Sequence, residues 1–165
     1  FMELYGVTEK QYGWIFAIIA LGLVTASQFN TLLLRKYSSQ HIVKVTLICQ
    51  VFFGTVLLLG AWFNLIEMYS MIVLVFLFLS TQGFAFPNTS ALSLAPFERS
   101  AGTASALMGA LQLGIGALIT GLVSMLSNET PVPMTGIMFM CAGVSLTILY
   151  LGNRRIKKLD IVIIS

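Results

Sequence analysis

The chain has 165 residues, of which 58% are hydrophobic and only 9% are charged, and its mean hydropathy is +0.94. A soluble domain carries about 25% charged residues, so this composition excludes an ordinary water-soluble enzyme. The nine Lys and Arg residues stand in small groups between long apolar runs, whereas a nucleic-acid-binding protein gathers its basic residues on one solvated face. We therefore expect a lipid bilayer, and no nucleic acid, as a partner of this chain.

Five uncharged runs, each longer than twenty residues, divide the sequence. An α-helix rises about 1.5 Å per residue, so roughly 20 apolar residues cross the bilayer core. The runs predict an all-α membrane protein with five transmembrane helices, at about 11–34, 45–66, 69–94, 101–126 and 134–151. Residues 1–158 would form the membrane domain and residues 159–165 a short cytoplasmic tail. Because the chain starts at Phe1 and has an odd number of spans, we expect a fragment of a longer protein.

The basic residues lie almost entirely on one side of these spans. Eight of the nine Lys and Arg residues follow the first, third or fifth span, and Lys10 alone precedes the first. Lys and Arg are retained on the cytoplasmic side during insertion. The distribution therefore predicts a multi-pass protein with its N-terminus outside and its C-terminus in the cytoplasm.

The spans lack the groups that most membrane chemistry uses. None contains a charged residue or a histidine, and His41, the only histidine, lies in a basic loop. An ionisable residue inside a membrane usually marks a functional site, and a nucleophile needs a base within reach. We therefore expect no catalytic residue, no enzymatic activity, no metal site and no cofactor.

The third run contains a proline. Pro87 has no N–H group and its ring clashes with the preceding turn, which predicts a kink or an unwound stretch near residues 83–89. Bent helices often border the substrate path of carriers. Gln82, Phe86, Pro87 and Asn88 are therefore candidate residues of a substrate path. The alternative is a kink that only adjusts helix packing.

The fourth run has small residues at four-residue spacing, which lets two helix backbones approach closely. This pattern predicts helix packing at Gly102, Ser105, Ala106, Gly109 and Gly114. Gln112 lies on a polar stripe of the same run. That stripe either packs against another helix or lines a water-filled passage, and so Gln112 is a further candidate for the substrate path.

The other spans differ in polarity. Gln28 and Asn30, in the first span, need hydrogen-bond partners, so we expect them to face neighbouring helices or a cavity. The second and fifth spans are the most uniformly apolar and are expected to face lipid. Truncation of Leu57, in the second span, is then expected to have little effect.

Two segments resemble one branch of the major facilitator superfamily, the bicyclomycin/chloramphenicol-resistance (Bcr/CflA-like) branch. GFAFPNTSALSLAPFERSAGTASALMGALQ, at 83–112, resembles its junction between helices ten and eleven. YGVTEKQYGW, at 5–14, is similar to its loop between helices seven and eight. The resemblance implies that the five spans correspond to helices 8–12 of a twelve-helix fold, in which helix ten lines the cavity and helices nine and twelve face lipid.

The resemblance also implies a function. It implies a proton-coupled drug antiporter of the bacterial inner (plasma) membrane that exports small amphipathic compounds by alternating access between two six-helix halves. The partners would be the missing N-terminal six-helix half, a small-molecule substrate and protons. Two alternatives stay open: a non-transporting membrane assembly or accessory subunit, and a nutrient or metabolite carrier of the same superfamily.

The predicted topology can be tested with reporter tags. A tag placed after Leu151 should report the cytoplasm, and a tag in the turn at Asn64 should report the opposite compartment, because three crossings separate them. Alkaline phosphatase and green fluorescent protein fusions measure this directly. If both tags report one compartment, the five-span topology is wrong.

Overall fold

The computed structural model describes the backbone of residues 8–63, 65, 67–126 and 131–164, with the side chains of these residues except 126 and 153–164. The five long α-helices of the described chain are α1 (Glu9–Leu33), α2 (Ser39–Trp62), α3 (Met68–Leu94), α4 (Ala101–Leu126) and α5 (Val132–Ile164). A 3-10 helix, Ala95–Ser100, joins α3 to α4. Asn64, the centre of the loop before α5 and the last residue of the predicted tail lie outside the described residues.

In the part of the chain that the structure describes, four helical stretches are long and apolar enough to cross a membrane, namely Glu9–Leu33, Ser39–Trp62, Met68–Met125 and Val132–Gly152. The third joins α3 and α4, and its 58 residues are long enough for two crossings. The predicted all-α membrane fold is thus confirmed. The helices extend beyond the predicted spans, because α2 already begins at Ser39 and α5 continues helically through most of the segment 159–165.

Side-chain caps define where the first two helices begin. Thr8 and Gln11 form a capping box at the start of α1, in which each side chain accepts a hydrogen bond from the backbone N–H of the other. The Ser38 hydroxyl accepts from the backbone N–H of His41 at the start of α2. These bonds satisfy N–H groups that a helix leaves free in its first turn. The turn between α1 and α2 covers only residues 34–38, so the end of α1 and the start of α2 lie on the same side of the bundle.

Small residues bring α1 and α3 close together. A Cβ atom built on Gly22 would overlap the Phe76 ring and lie 2.7 Å from Ser80 Oγ, and one built on Gly83 would lie 2.8 Å from Ala26 Cβ. The contacts advance in the same direction along both helices, so α1 and α3 run parallel. Close approach of this kind provides van der Waals packing where lipid removes the hydrophobic drive between helices.

α2 occupies the middle of the bundle, with α3 on one side and α5 on the other. A Cβ atom on Gly54 would lie 3.3 Å from Phe139 Cα, and Gly136 faces the Leu58 side chain. These contacts advance in opposite directions, so α2 and α5 run antiparallel. The apolar core joins the three helices and consists of Leu57, Met71, Val75, Phe78 and Ala142.

The expectation that the second span faces lipid is wrong for one face of α2, whereas Phe52 and Leu59 on the other face are exposed. Leu57 is 0% exposed and Gln50 is 3% exposed, so truncation of Leu57 should be costly instead of neutral. Removing a buried Leu side chain typically costs 2–5 kcal/mol. Apolar composition does not distinguish the two environments. In a membrane, the side chains that pack against protein are as apolar as those that face lipid.

α4 has few contacts with the other described helices. Nothing lies within 4 Å of a Cβ atom built on Gly102, Gly109 or Gly114, and Ser105 and Ala106 are exposed. Within the described chain these five residues therefore pack against no other helix. Their predicted role in helix packing concerns a partner outside the described residues and stays a prediction.

Two glycine substitutions should separate the packed from the open positions. Gly83→Ala should lower the free energy of unfolding by about 1–3 kcal/mol, because the added carbon would lie 2.5 Å from the Leu23 carbonyl oxygen. Gly109→Ala adds the same atom in open space and should be neutral or stabilise α4 by up to about 1 kcal/mol. Unfolding of the purified chain in detergent, followed by circular dichroism, measures both. Equal losses would contradict the α1–α3 packing.

Candidate functional site

α3 remains helical through its proline. The whole segment from residue 83 to residue 89 is α-helical, and the non-helical backbone lies instead at Phe97, with φ −110° and ψ 33°. Of the two predicted alternatives near Pro87, the unwound stretch is therefore wrong, and the kink stays a prediction. Proline is tolerated inside a membrane helix when side chains satisfy the backbone groups that it frees or disturbs.

Two polar side chains donate hydrogen bonds to backbone carbonyl groups around this proline. Asn88 Nδ2 donates to the Phe84 carbonyl oxygen at 2.7 Å. Thr89 Oγ1 donates to the carbonyl oxygens of Ala85 at 2.8 Å and Phe86 at 3.1 Å. None of these three bonds reaches the Gly83 carbonyl oxygen, whose usual donor is the N–H group that Pro87 lacks. They add side-chain hydrogen bonds to the turn around the proline.

Asn88 also joins α3 to α1. Its Nδ2 donates to Asn30 Oδ1 at 2.7 Å, and the two residues are 58 positions apart in the chain. Asn88 is 1% exposed and Asn30 is 2% exposed. The expectation that Asn30 faces a neighbouring helix is confirmed, whereas Gln28 is exposed. A hydrogen bond between membrane helices contributes about 0.6 kcal/mol on average and up to about 1.7 kcal/mol.

Two buried side-chain oxygen atoms lack a hydrogen-bond partner among the described residues, and both belong to α3. They are Ser80 Oγ, beside Gly22 of α1, and Asn88 Oδ1. A buried acceptor without a donor costs about 1–3 kcal/mol. The α1–α3 contact thus contains polar groups whose hydrogen bonds are incomplete.

The predicted substrate-path residues do not converge in the described chain. Gln82 and Pro87 are half-buried, Phe86 is 57% exposed and Asn88 is buried. Positions two apart on a helix point to nearly opposite faces, which separates Phe86 from Asn88. Gln112 is exposed on α4, which has few contacts with α3.

An open groove of about 430 Å³ runs beside the α1–α3 contact, and sequence analysis did not identify it. Thr25 supplies its hydroxyl group, and the remaining lining is apolar: Ile18, Leu21, Gly22, Ala26, Phe29 and Phe76. The spacing of the α1 positions at three and four residues marks one helix face. That spacing could have predicted a shared surface but not a groove, because the groove also needs the Phe76 ring.

Basic residues collect at one end of the bundle. Because α1 and α3 run parallel and a short turn joins α1 to α2, the end of α1, the start of α2 and the end of α3 share one side. Arg35, Lys36, Lys44 and Arg99 lie there and are exposed. Amphipathic aromatic rings also suit the membrane surface. Tyr37 stacks on His41 at this end, with ring centroids 5.7 Å apart.

A double-mutant cycle should detect the bond between α1 and α3. Asn30→Ala and Asn88→Ala should be non-additive by about 0.6–1.7 kcal/mol in the free energy of unfolding, because each removes the partner of the other. Unfolding in detergent measures the cycle. Ser145→Ala is the control: its hydroxyl donates to Cys141 O on its own helix, and so it should add to Asn30→Ala. Additive effects of the two asparagine substitutions would refute the bond.

The chain is similar to curated membrane transporters over most of its length. It is 27% identical over 158 residues, 95% of this chain, to a bicyclomycin resistance protein homolog of Haemophilus influenzae. It is 26% identical over 146 residues, 86% of this chain, to the uncharacterized MFS-type transporter YdgK of Bacillus subtilis. The chain spans 39% and 35% of the length of these relatives.

No protein-family model matches the chain, and no solved structure matches it significantly. The names of the two relatives nevertheless agree with the resemblance to the bicyclomycin-resistance branch of the major facilitator superfamily. They confirm that the chain is similar, over nearly its whole length, to part of the membrane transporters of the major facilitator type.

Proposed function

We propose that the chain is part of a carrier that exports drugs or other small amphipathic compounds across the bacterial inner membrane. The full carrier would work by alternating access and would be coupled to protons. The five helices would correspond to helices 8–12, with the N-terminus outside and the C-terminus in the cytoplasm. The remaining helices of the longer protein would complete the transport path.

The observation that carries this proposal is the similarity to a relative named for bicyclomycin resistance, which covers 95% of this chain. A second relative is named as a transporter of the same general type. The partial coverage of both relatives supports a role as one portion of a larger carrier. Neither name specifies the coupling ion.

The chemistry of the helices supports an amphipathic substrate. The groove beside α1 and α3 is apolar apart from Thr25, and polar side chains in the middle of the helices are neutral amides and hydroxyls. Pockets for small molecules are typically apolar with a few placed polar groups. Such a lining favours neutral or weakly polar compounds over strongly charged nutrients.

We propose that Gln82, Phe86, Pro87, Asn88 and Gln112 contribute to the substrate path of the complete carrier. The exposure of Phe86 and Gln112 leaves them available to a cavity between this chain and the remaining helices. Pro87 would act by setting the shape of α3.

Drug accumulation tests the proposed export. Deleting the gene for the full-length carrier should raise cellular accumulation of chloramphenicol, because export is lost. A proton-gradient uncoupler should raise accumulation in the parent strain and have little further effect in the deletion strain. Radiolabelled drug uptake measures both, and plasmid expression of the carrier should restore the parent level.

Unchanged accumulation of chloramphenicol and of bicyclomycin after deletion would contradict the export proposal. An accessory subunit would behave differently in crosslinking. Gly109→Cys would then capture an unrelated membrane protein instead of another helix of the same carrier. The open surface around Gly109 makes this position suitable for the experiment.

Substitution of the exposed amide should separate a transport role from a packing role. Gln112→Leu should change the relative resistance to different drugs while protein abundance stays within about twofold, because an exposed side chain contributes little to stability. Leu113→Ala, at the adjacent exposed position, is the control and should leave the resistance profile unchanged. Drug susceptibility and membrane immunoblots measure the two effects. A fall in abundance without a change in profile would indicate packing.

A further inference from the structure

The Phe84 carbonyl oxygen, a backbone acceptor with a fixed position, determines the orientation of the Asn88 side-chain amide. Asn88 Nδ2 lies 2.7 Å from the Phe84 carbonyl oxygen, which only accepts hydrogen bonds. Turning the amide would place its own oxygen against that carbonyl. Phe84 therefore fixes Nδ2 on this side and Oδ1 on the other.

The orientation of Asn88 also determines the orientation of the Asn30 amide in α1. Asn88 Nδ2 also lies 2.7 Å from the side chain of Asn30, and a donor nitrogen must face an acceptor. Asn30 therefore presents Oδ1, and it cannot supply its own amide N–H to Asn88 Oδ1 in this arrangement. Both protons of Asn88 Nδ2 are used, one within α3 and one across to α1.

Asn88 Oδ1 is left as a buried acceptor without a donor in the part of the chain that the structure describes. Asn30 lies one turn before the end of α1 at Leu33, and Asn88 lies fewer than two turns before the end of α3 at Leu94. At 1.5 Å per residue these positions lie about 5 Å and 9 Å along the axis from the helix ends. The unpaired oxygen therefore lies in the part of the α1–α3 contact that is nearest the basic end of the bundle.

We propose that Asn88 Oδ1 is an acceptor site for a single O–H donor, and that the Phe84 carbonyl oxygen and Asn30 Oδ1 together hold Asn88 in the accepting orientation. The donor is either an internal water molecule or a hydroxyl group of a transported compound. The second source rests on the proposed export function, and the first does not. Asn30 and Phe84 act through Asn88 and do not touch the donor.

A structure of the full-length carrier, determined with and without chloramphenicol at a resolution that shows ordered water, tests this directly. We expect density within hydrogen-bond distance of Asn88 Oδ1. Water in both states identifies an internal water, and a chloramphenicol hydroxyl in the drug-bound state identifies the compound. A protein donor at Oδ1, no density there in either state, or a turned Asn88 amide would overturn the site.

Transport selectivity distinguishes the two sources in membranes. If the compound is the donor, Asn88→Leu should reduce the preference for chloramphenicol over its 3-O-acetyl ester roughly two- to tenfold, the range that one neutral hydrogen bond contributes. Asn30→Leu should reduce it in the same direction but less, because Asn88 then loses one of the two acceptors that hold its orientation. Ser80→Ala removes another buried, unpaired oxygen from α3 and should leave the preference unchanged.

The outcomes also separate this inference from the proposed function. If the wild-type carrier exports no drug, the export proposal fails, but density for water at Asn88 Oδ1 still supports the acceptor site. If the carrier exports chloramphenicol and Asn88→Leu leaves the preference unchanged, the donor is not the compound. The structure alone then decides whether a water molecule occupies the site. If the Asn88→Leu protein inserts poorly into the membrane, the structure determination is unaffected, because it uses the wild-type carrier.

Discussion

Every polar group inside these helices needs its hydrogen bond from the protein itself or from a trapped molecule, because the apolar bilayer core supplies none. The hydroxyls of Thr46, Thr55 and Thr147 meet this requirement by donating to a carbonyl oxygen one turn earlier. The Asn30–Asn88 pair instead meets part of it across two helices. That bond exists because small residues let α1 and α3 approach closely.

Close contacts between helix backbones at small residues also organise the rest of the bundle. Gly22, Ala26 and Gly83 form the contact of two parallel helices, and Gly54 allows α2 to reach α5. The central position of α2 follows from these glycines and from the buried Leu57, and not from any difference in hydropathy. α4 is the exception, because its glycines face open space in the described chain. In a longer carrier this surface would be available to further helices.

The polar groups inside these helices are neutral. None of the described spans carries a charged residue in its middle, so the polar side chains there are amides and hydroxyls. The buried Asn88 has a fixed orientation and one acceptor without a donor among the described residues, whereas Gln112 is exposed.

The sequence by itself determined the membrane class, the helices and the family resemblance, because long uncharged runs admit few other structures in a bilayer. It also indicated that Asn30 needs a partner. Only the tertiary structure decided that the partner is Asn88, that α2 is central and that α3 continues through Pro87. These features depend on which faces meet and on side-chain bonds across them. Hydropathy cannot predict them, since lipid-facing and protein-facing residues are equally apolar.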